Sequence, residues 1–558
     1  MRLLLLLALF FSSTIYSQLS DKHWLPPLHS RSASNVGEHV VYLSTPRTTP
    51  FQVTVTTGNG AVLGTYTISS GSPAQFTVGN GQPSNMFVNQ SGLHTPSNAN
   101  GLILTGTEEF YVTFKVRSGA HGEVFVSKGR AGLGQDFRLG SVPQDSDDGS
   151  RNFVSSFMAT ENNTSVTVSD YNAGVTFTTP TGFNSNGTLT FNLQAGQSVV
   201  LSGYTNVAAN LNGFIGARLT STKPVAVTTG NITTNPAPGG NDICLDQIVP
   251  VERVGTEYVV VKGNGISTTE LPIVIATQNN TKIYVNGIVT PIATINSGDY
   301  FIVPFSYYQG TFNQNMYIET DKPVYLYQVL AGDTATYTVG LNFIPPLSCS
   351  FPKVVDLIPS INSIGTVNSF DSNIILLAVT GSVISINGAT TTATPQPVPG
   401  NANWVTYRIS GYNGNVRVQS TGSTAVGVFG SSGTIGFASF YSGFGEVNIT
   451  YENGVDIQEK DLTILNGLAP CPGELVTLET NLDPNDFSFQ WTVDTGSGPQ
   501  VIVGETGPSL TVGSPGTYCV ITSSGFIASA CQQSDCVVIE YQTGFSIENN
   551  PSDLYSCD

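Results

Sequence analysis

A strand–turn–strand pattern that occurs three times is the feature that most restricts how this chain can fold. Its copies begin at Phe153, Ile273 and Ile374 and read FVSSFMATENNTSVTV, IVIATQNNTKIYVNG and IILLAVTGSVISING. In each copy, Asn-Asn or Thr-Gly separates two apolar, alternating runs, which is typical of a β-hairpin. The chain is therefore predicted to consist of repeated β units. The equivalent alanines of the three copies are Ala159, Ala276 and Ala378.

A second element closes each repeat. Ser221-Thr-Lys-Pro-Val-Ala-Val227 matches Thr320-Asp-Lys-Pro-Val-Tyr-Leu326, and we expect its proline at a strand start, where the missing N–H is tolerated. The segment Gly106 to Val116 ends a first unit in the same style. Together these elements indicate four β modules of ~100 residues, each large enough for two packed sheets. Propeller blades are the alternative, but their repeats are only ~40–50 residues long. The predicted modules are residues 18–135, 136–235, 236–350 and 351–448.

The pattern changes after residue 458. Trp491 follows Cys471 by about 20 residues, and Gly516-Thr-Tyr518 leads into a late strand, a spacing typical of an immunoglobulin-like sandwich. We therefore predict an Ig-like domain over residues 458–545. Residues 546–558, with a leftover Cys557, read as the start of a further, truncated module. The predicted fold class is all-β, with tandem β-sandwich modules followed by an Ig-like β-sandwich.

Composition agrees with this fold class. The 558 residues include 59 Gly and 31 Pro, and only 10% are charged, as expected for many short strands joined by tight turns. A hydrophobic content of 40% argues against intrinsic disorder. The formal charge of −18, without a cluster of Lys or Arg, would repel phosphate backbones and argues against nucleic acid as a partner.

The N-terminus predicts export. Arg2, the apolar run from Leu3 to Phe11 and the small Ser17 form a signal peptide over residues 1–17, with cleavage after Ser17. The apolar run is shorter than the ~20 residues that a membrane-spanning helix needs, and we find no other candidate span. We expect the mature protein to be secreted or held at the cell surface, in association with the outer membrane.

Cysteines in an exported protein are expected to form disulfides, and none of the seven has the Cys-x-x-Cys spacing of a zinc site. Cys244 and Cys349 are the two in the repeat region, so we expect a bridge between them. The four cysteines of the terminal domain permit three pairings. Among these we favour Cys471–Cys531 with Cys519–Cys536.

One loop is a candidate metal site. Asp145, Asp147 and Asp148 place three carboxylates within four residues, and Ca²⁺ prefers such oxygen ligands. The loop lacks the regular spacing of a helical calcium loop, and a solvated acidic turn is the competing interpretation. Structural Ca²⁺ is the one cofactor that the sequence suggests.

No catalytic motif is found, since the chain contains neither Gly-x-Ser-x-Gly nor His-Glu-x-x-His. Gly58-Asn-Gly60 and Gly263-Asn-Gly265 fit hairpin turns better than phosphate loops. Glu108 and Glu109 are expected to point to opposite faces of a strand, so they cannot flank one bond as glycosidase carboxylates do. We therefore expect a protein that is not an enzyme. Tyr307-Tyr308 and Phe440-Tyr441 are candidate ligand contacts, with core packing as the alternative.

Several segments resemble the IgGFc-binding protein N-terminal domain family over about residues 23–440. The segment Gly239 to Val259 is similar to its "G-D…Q-x-x-P…G-x-E-Y/F-V" core, and Val124-Phe-Val-Ser-Lys-Gly129, Phe153 to Val168 and Leu341 to Cys349 fit the same family. The opening from His23 to Ser32, together with the Ig-like domain, resembles adhesin-type surface proteins of gliding Bacteroidetes. The resemblance implies surface location and export by type IX secretion, although this chain carries no C-terminal sorting domain.

The resemblance does not transfer a ligand, because the family name comes from mammalian mucus proteins that associate with IgG Fc. We expect an adhesion or interaction protein that binds an extracellular protein or glycan through its β modules; its oligomeric state stays open. The alternatives are a non-catalytic accessory region of a larger polysaccharide-acting enzyme, with its catalytic domain beyond residue 558, and a passive surface stalk.

Overall fold

The computed structural model describes residues 18–31, 35–146, 148–184, 187–237, 241–334, 338–348, 351–367, 369–441, 449–452, 475–480, 484, 487–524 and 532–539. Among them the regular elements are β-strands and short 3₁₀ helices, and the strands form several sheets, so the predicted all-β fold class is confirmed. The chain divides into two compact units, one comprising Tyr16–Leu347 and Phe351–Phe444 and the other including Gly445–Asp558. The 3₁₀ helices are Gln90–Gly92, Gly129–Gly132, Ala208–Leu211, Val251–Arg253 and Phe305–Tyr307.

Module 1 is organised around one strand of 17 residues, β6, which pairs with β1 and β3 along its first half and with β2 and β7 along its second. The sheet order is β4-β3-β6-β2-β5. Alternation buries one face of each strand, as in β3, where Val53 and Val55 are buried between partly exposed threonines. The strands are β1 (Ser20–Leu25), β2 (Val36–Ser44), β3 (Phe51–Thr57), β4 (Val62–Ile68), β5 (Ala74–Asn80), β6 (Leu102–Ser118) and β7 (His121–Val126).

Modules 2 and 3 repeat this topology, with the sheet orders β13-β10-β15-β9-β14 and β20-β19-β22-β18-β21. Their long central strands, β15 and β22, again have 17 residues each. The strands of module 2 are β8 (Leu133–Arg138), β9 (Asn152–Ala159), β10 (Thr164–Ser169), β11 (Phe177–Thr179), β12 (Gly182–Asn184), β13 (Leu189–Leu193), β14 (Ser198–Tyr204), β15 (Arg218–Thr234) and β16 (Asp242–Ile248). Those of module 3 are β17 (Gly255–Val261), β18 (Leu271–Ala276), β19 (Thr281–Val285), β20 (Ala293–Ile295), β21 (Tyr300–Ile302), β22 (Asn315–Ala331) and β23 (Val339–Phe343).

Module 4 differs because two strands, β30 and β31, replace the long central strand and lie in separate sheets, ordered β24-β30-β26-β27 and β28-β29-β25-β31-β32. Its strands are β24 (Val354–Ile358), β25 (Asp371–Val379), β26 (Ile384–Ile386), β27 (Ala389–Thr390), β28 (Gln396–Pro397), β29 (Trp404–Ser410), β30 (Val416–Ser420), β31 (Thr424–Ser432) and β32 (Ile435–Phe440).

The repeated sequence pattern occupies equivalent places in the modules. Ala159 and Ala276 end β9 and β18, and Ala378 is the last residue but one of β25. The turn residues have positive φ, 58° at Asn163 and 56° at Asn280. The strands on either side of each turn do not pair with each other: β9 and β10 both pair with β15, and β18 and β19 both pair with β22. The predicted strands and turns are therefore present, but the prediction that they form β-hairpins is wrong, because a long central strand lies between the two.

The Lys-Pro element lies elsewhere than predicted. Pro224 and Pro323 are inside β15 and β22, at register shifts where the long strand leaves one neighbour for another, and not at strand starts. A proline is tolerated there because the irregular stretch needs no ladder hydrogen bond. In both modules the preceding hydroxyl, of Ser221 or Thr320, donates to the lysine carbonyl at 2.7 or 2.8 Å and stabilises the bulge.

The last strands of the four modules meet in the middle of the unit. β7 contacts β16, β16 contacts β23, β23 contacts β32, and β32 contacts β7, so the four modules close into a ring. Their hydrophobic cores are continuous: one cluster joins modules 2 and 3, and another joins Val124 and Val126 of module 1 to module 4. β16 pairs with β15, although the predicted boundary at 235/236 would separate them. The modules are thus parts of one compact unit.

The second unit contains two sheets, with the orders β33-β34-β37 and β36-β35-β38-β39. Trp491 is fully buried in a core to which both sheets contribute, and its indole N–H donates to the Gly507 carbonyl at 3.0 Å. This is the two-sheet packing predicted for the terminal domain. The strands are β33 (Ile449–Glu452), β34 (Val476–Thr480), β35 (Phe487–Asp494), β36 (Gln500–Val501), β37 (Ser509–Val512), β38 (Gly516–Ser524) and β39 (Gln532–Ile539).

The predicted disulfides have different outcomes. Cys519 and Cys536 face each other on β38 and β39 and are bonded, as predicted. Cys244 is a free, buried cysteine on β16, so the expected bridge from Cys244 to Cys349 is wrong. Cys349, Cys471, Cys531 and Cys557 lie outside the described residues, as do the predicted signal peptide and residues 546–558.

Candidate functional site

A buried carboxylate holds the centre of the ring. Glu123 on β7 is fully buried, and its two oxygens accept backbone N–H groups from all four central strands. Burial raises the pKa of the Glu123 carboxyl well above its usual range, and these hydrogen bonds oppose that rise. Only the ionised form offers acceptors to every donor without placing an O–H among them. The donors are Val124 (2.9 Å), Ala438 (3.1 Å), Leu245 (3.2 Å) and Leu341 (3.0 Å).

Two further buried acids, Asp242 and Asp246, also accept hydrogen bonds at the centre of the ring. Asp242 accepts the N–H groups of Gly122 and Gly436 at 2.7 and 2.6 Å, which joins β16 to β7 and β32. Asp246 accepts the ammonium of Lys128 at 3.1 Å, and both side chains are buried. Burial raises the pKa of both aspartates. We call Glu123, Asp242 and Asp246 the central carboxylates.

The segments that carry the family resemblance build this centre. Gln247, from the "Q-x-x-P" motif, accepts the Lys128 N–H at 2.6 Å and donates to the Trp24 carbonyl at 2.7 Å. Lys128 belongs to the Val124–Gly129 segment and Asp246 to the Gly239–Val259 segment. These residues therefore hold modules together. Sequence reasoning did not single out Glu123, although an acid inside an apolar strand was the available signal.

In the loop proposed for calcium, the Asp148 carboxylate is engaged in other contacts. The Asp148 carboxylate accepts hydrogen bonds from the N–H and hydroxyl of Ser150, each at 2.7 Å, which lower its pKa, and it pairs with Arg151 at 3.4 Å. Within the described residues no three metal-ligating side chains come together. Asp147 lies outside those residues, so Ca²⁺ bound by Asp145, Asp147 and Asp148 stays a prediction.

The two glycine motifs differ in structure. Gly58-Asn-Gly60 forms the turn between β3 and β4, with φ of 83° at Gly60, as predicted. Gly263-Asn-Gly265 does not connect paired strands, so that prediction of a hairpin is wrong. Instead, the N–H groups of Gly263 and Gly265 donate to the buried Glu270 carboxylate at 3.0 and 2.8 Å. Burial raises the pKa of Glu270 to about 7.

The acidic pair also departs from expectation. Glu108 and Glu109 both contact Arg47, at 3.5 and 3.4 Å, although adjacent residues of a regular strand point to opposite faces. They lie where β6 changes register against β1, and the irregular backbone turns both carboxylates toward one cation.

Among the candidate aromatic contacts, Tyr308, Phe440 and Tyr441 are buried, as the core-packing alternative states.

A cleft of about 300 Å³ lies where module 3 meets module 4. Phe312, on the loop between β21 and β22, is 64% exposed there. Two cations flank it: Lys262 from the end of β17 and Arg408 from β29. We call this site the Phe312 cleft. Its lining residues are Lys262, Gly263, Gly310, Thr311, Phe312, Asn313, Gln314 and Arg408.

Module 4 fixes the loop that carries Phe312. The side-chain oxygen of Gln396 accepts the N–H groups of Thr311 and Phe312 at 2.8 and 3.2 Å. The Asn313 side chain accepts the Thr406 hydroxyl at 2.7 Å. The aromatic ring is thus held in solvent on a rigid support.

The cations of the Phe312 cleft lie near a buried acid, since the Glu270 carboxylate attracts both Lys262 and Arg408. Arg408 donates to the Gly263 carbonyl at 3.0 Å and to the Asn264 side chain, and it lies over the Phe429 ring. The Lys262 ammonium lies 5.5 Å from the centre of the Phe305 ring. Within the described residues neither cation forms an ion pair. The cleft therefore presents two cations on a chain of net charge −18, with the Glu270 carboxylate buried beside them.

A smaller cleft of about 160 Å³ lies between modules 1 and 2. Its Arg31 guanidinium stacks over Tyr204 at 4.9 Å, and the exposed Phe183 ring lies 6.2 Å from Tyr204. The Tyr204 hydroxyl donates to Gln90 at 3.4 Å. The Arg31 and Tyr204 side chains of this cleft are thus already engaged, whereas the buried Nε2 of His29 has no hydrogen-bond partner among the described residues.

The fold and the clefts define a β-rich, multi-module protein, and comparison with known families identifies its family. The family model described as IgGFc binding protein matches residues 122–430, more than half of the chain, and the chain belongs to that family. The resemblance stated from the sequence is confirmed at this level. No curated protein matches the chain. In the described part of the chain, no helix has the length and apolar character to span a membrane.

Similarity to solved structures is remote. Elastase-activated α-2-macroglobulin of Escherichia coli is 10% identical with a TM-score of 0.14, over 93% of this chain and 53% of that one. The native form of the same E. coli protein covers 94% and 46%, with 10% identity and a TM-score of 0.17. The ectodomain of mouse nectin-like molecule 4 is 10% identical with a TM-score of 0.12, over 52% and 100%. The chain thus spans about half the length of the E. coli protein. TM-scores this low do not establish a shared fold.

Proposed function

We propose that the chain is an exported cell-surface adhesion protein that binds an extracellular protein or glycan, and that the Phe312 cleft is a ligand contact. The observation that carries this proposal is the exposed Phe312 ring on a loop that module 4 holds fixed. An aromatic side chain that is 64% exposed contributes little to folding, whereas a pre-positioned aromatic is a common centre of binding energy. Membership of the IgGFc binding protein family supports an extracellular protein ligand.

The charge of the cleft indicates what the ligand carries. Lys262 and Arg408 form no ion pair among the described residues, although the buried Glu270 carboxylate attracts both, and the chain as a whole is acidic. An anionic group on the ligand is therefore attracted to the two cations of this site. We expect binding that weakens as ionic strength rises, because salt screens such contacts.

We also propose that the chain is not an enzyme. The raised pKa values of Glu123, Asp242 and Asp246 accompany hydrogen bonds that join strands, which is a structural use of buried acids. The signal-peptide pattern supports export, and the resemblance to gliding-bacterium adhesins supports type IX secretion and outer-membrane association.

The test is a binding screen of the purified mature protein against IgG Fc, mucins, polysaccharides and host-cell or algal surfaces, with and without EDTA. We expect saturable binding to one class, and Phe312→Ala to weaken it at least ~10-fold, equivalent to about 1.4 kcal/mol. Phe183→Ala is the matched control, because that ring is 62% exposed but lies outside the cleft. Loss of binding in EDTA would support Ca²⁺ at the Asp145–Asp148 loop.

Equal binding by the Phe312→Ala and wild-type proteins would contradict the assignment of the cleft. Absence of binding across the panel, from a folded sample, would contradict the adhesion proposal and favour a stalk or an accessory region.

A further inference from the structure

A buried acid is attached to the wall of the Phe312 cleft. Glu270 is fully buried, and one of its carboxylate oxygens accepts the N–H of Gly263, a residue that lines the cleft, at 3.0 Å. The other oxygen accepts the N–H groups of Gly265 and Ala331 at 2.8 and 3.3 Å. A Cβ atom on either glycine would come within 2.7 Å of this carboxylate, so the acid packs directly against the backbone of the turn.

The same backbone contacts the two cations of the cleft. The Gly263 carbonyl accepts the Arg408 guanidinium at 3.0 Å and the Lys262 ammonium at 3.5 Å. The Glu270 carboxylate attracts both cations. A ligand anion that is drawn to these cations therefore meets an opposing charge whenever Glu270 is ionised.

The groups around Glu270 make it a charge that changes near neutral pH. Burial raises the pKa of Glu270 to about 7, against the hydrogen bonds of the turn and the attraction of Lys262. Tyr308 lies near it, and burial raises the pKa of that tyrosine well above its usual range, so Tyr308 stays neutral. Asp371 on β25 also attracts Arg408, but it is exposed to solvent. The five histidines of the chain all lie in module 1, at His23, His29, His39, His94 and His121.

We propose that Glu270 couples proton binding to ligand binding, so that the Phe312 cleft holds an anionic ligand more tightly in acidic than in alkaline surroundings. The inference rests on the proposed function of the cleft and adds its regulation. When Glu270 is protonated, the two cations act on the ligand without an opposing buried charge. Binding of the anion in turn favours the protonated acid, so that a proton is taken up with the ligand.

Coulomb's law bounds the size of the effect. A unit charge ~10 Å from the ligand, in an effective dielectric constant of ~20–80, changes the dissociation constant about 2- to 15-fold. The acid is neutral below its pKa of about 7 and negative above it. The affinity is therefore highest at acidic pH and falls as the pH rises through 7.

The test uses anilinonaphthalene sulfonate as the probe, because it joins an aromatic body to an anion whose charge is constant over the range studied. Fluorescence titrations of the purified mature protein at pH ~5.5 and ~8.5 give its dissociation constants, and the binding lost in Phe312→Ala is assigned to the cleft. We expect cleft binding to be about 2- to 15-fold tighter at the lower pH. In Glu270→Gln we expect the affinity to be independent of pH.

Glu257→Gln is the matched control. Burial also raises the pKa of Glu257, which belongs to the same module, but the charged group that acts on it is Glu319. This variant should keep the pH dependence of the wild-type protein. Calorimetry makes the test independent of any variant, since titrations of wild type at pH ~7 in two buffers of different ionisation enthalpy count the protons taken up with the probe.

Three results would overturn the coupling while leaving the cleft as a ligand contact. They are cleft binding of equal affinity at both pH values, no proton uptake by the wild-type protein, and an unchanged pH dependence in Glu270→Gln. Probe binding that Phe312→Ala does not weaken would contradict the assignment of the cleft itself, and the coupling with it. The failure of this inference is thus distinguishable from the failure of the proposed function.

Discussion

Replacing Glu123 with glutamine tests whether one carboxylate holds the four modules together. The change keeps the size of the side chain but replaces one acceptor oxygen with an NH₂ group. Each oxygen of Glu123 accepts two backbone N–H groups, so two of the four lose their acceptor in Glu123→Gln. The new NH₂ group, itself a donor, then lies opposite two backbone N–H donors.

The size of the effect follows from these two orphaned donors. A buried donor without a partner costs about 1–3 kcal/mol, so we expect Glu123→Gln to lower the free energy of unfolding by about 2–6 kcal/mol. Loss of the buried charge acts in the opposite direction, because burial is what raises the pKa of Glu123. The N–H groups remain in place around the new amide, however, so removing the charge does not restore their acceptors.

The assay is urea unfolding of the full chain, followed by tryptophan fluorescence. Trp24 and Trp404 report on the four-module unit and Trp491 on the other unit. We expect the transition of the four-module unit to move to lower urea and that of Trp491 to stay. Glu108→Gln is the matched control, since Glu108 is half-exposed and its surface ion pair contributes ~1 kcal/mol at most. A Glu123→Gln protein within ~0.5 kcal/mol of wild type would refute the reasoning.

Three further predictions concern other parts of the fold. Cys519→Ser should destabilise the second unit by about 3 kcal/mol, because its bridge to Cys536 closes a loop of 17 residues; an unchanged unfolding temperature under oxidising conditions would contradict this. Glu270→Gln should flatten the pH dependence of stability. The folded-state pKa of Glu270 is raised from 4.5 to about 7, so its contribution is present below pH ~4.5 and about 3 kcal/mol is lost as pH rises through 7, which urea titrations across pH 4–8 would detect. Gly216→Ala should cost at least ~1–3 kcal/mol, because φ is 83° and a Cβ would lie 1.9 Å from the Gly298 carbonyl oxygen of the next module; calorimetry showing no loss would contradict that close approach.

Local features of the sequence were sufficient to predict the strands and their repeats. Alternating apolar residues set which face of β10 or β19 is buried, and the Asn-Asn pairs set the turns, so both signals lie within a few residues of one another. Trp491 likewise correctly predicted a core between two sheets. Such predictions succeed because the determining contacts are near in sequence.

The closed ring was not predictable in this way. The donors to Glu123 on β16 and β32 are 122 and 315 residues away along the chain, and no local pattern joins them. The prediction for the Lys-Pro elements was wrong for a related reason. A rule for regular strands placed Pro224 and Pro323 at strand starts, whereas a strand shared by several neighbours has an irregular stretch in its middle. Phe312 gave no signal, because only the fixed loop distinguishes an exposed phenylalanine from a core one.

The side-chain N–H of Gln18 donates to the Phe440 carbonyl on β32 at 3.0 Å, which joins the beginning of module 1 to the last strand of module 4. The chain enters and leaves the four-module unit at neighbouring points, where β7 also contacts β32. A tensile force applied to the two ends is therefore carried first by this junction and is not transmitted through the modules in series. Under tension the unit lengthens little until the junction opens.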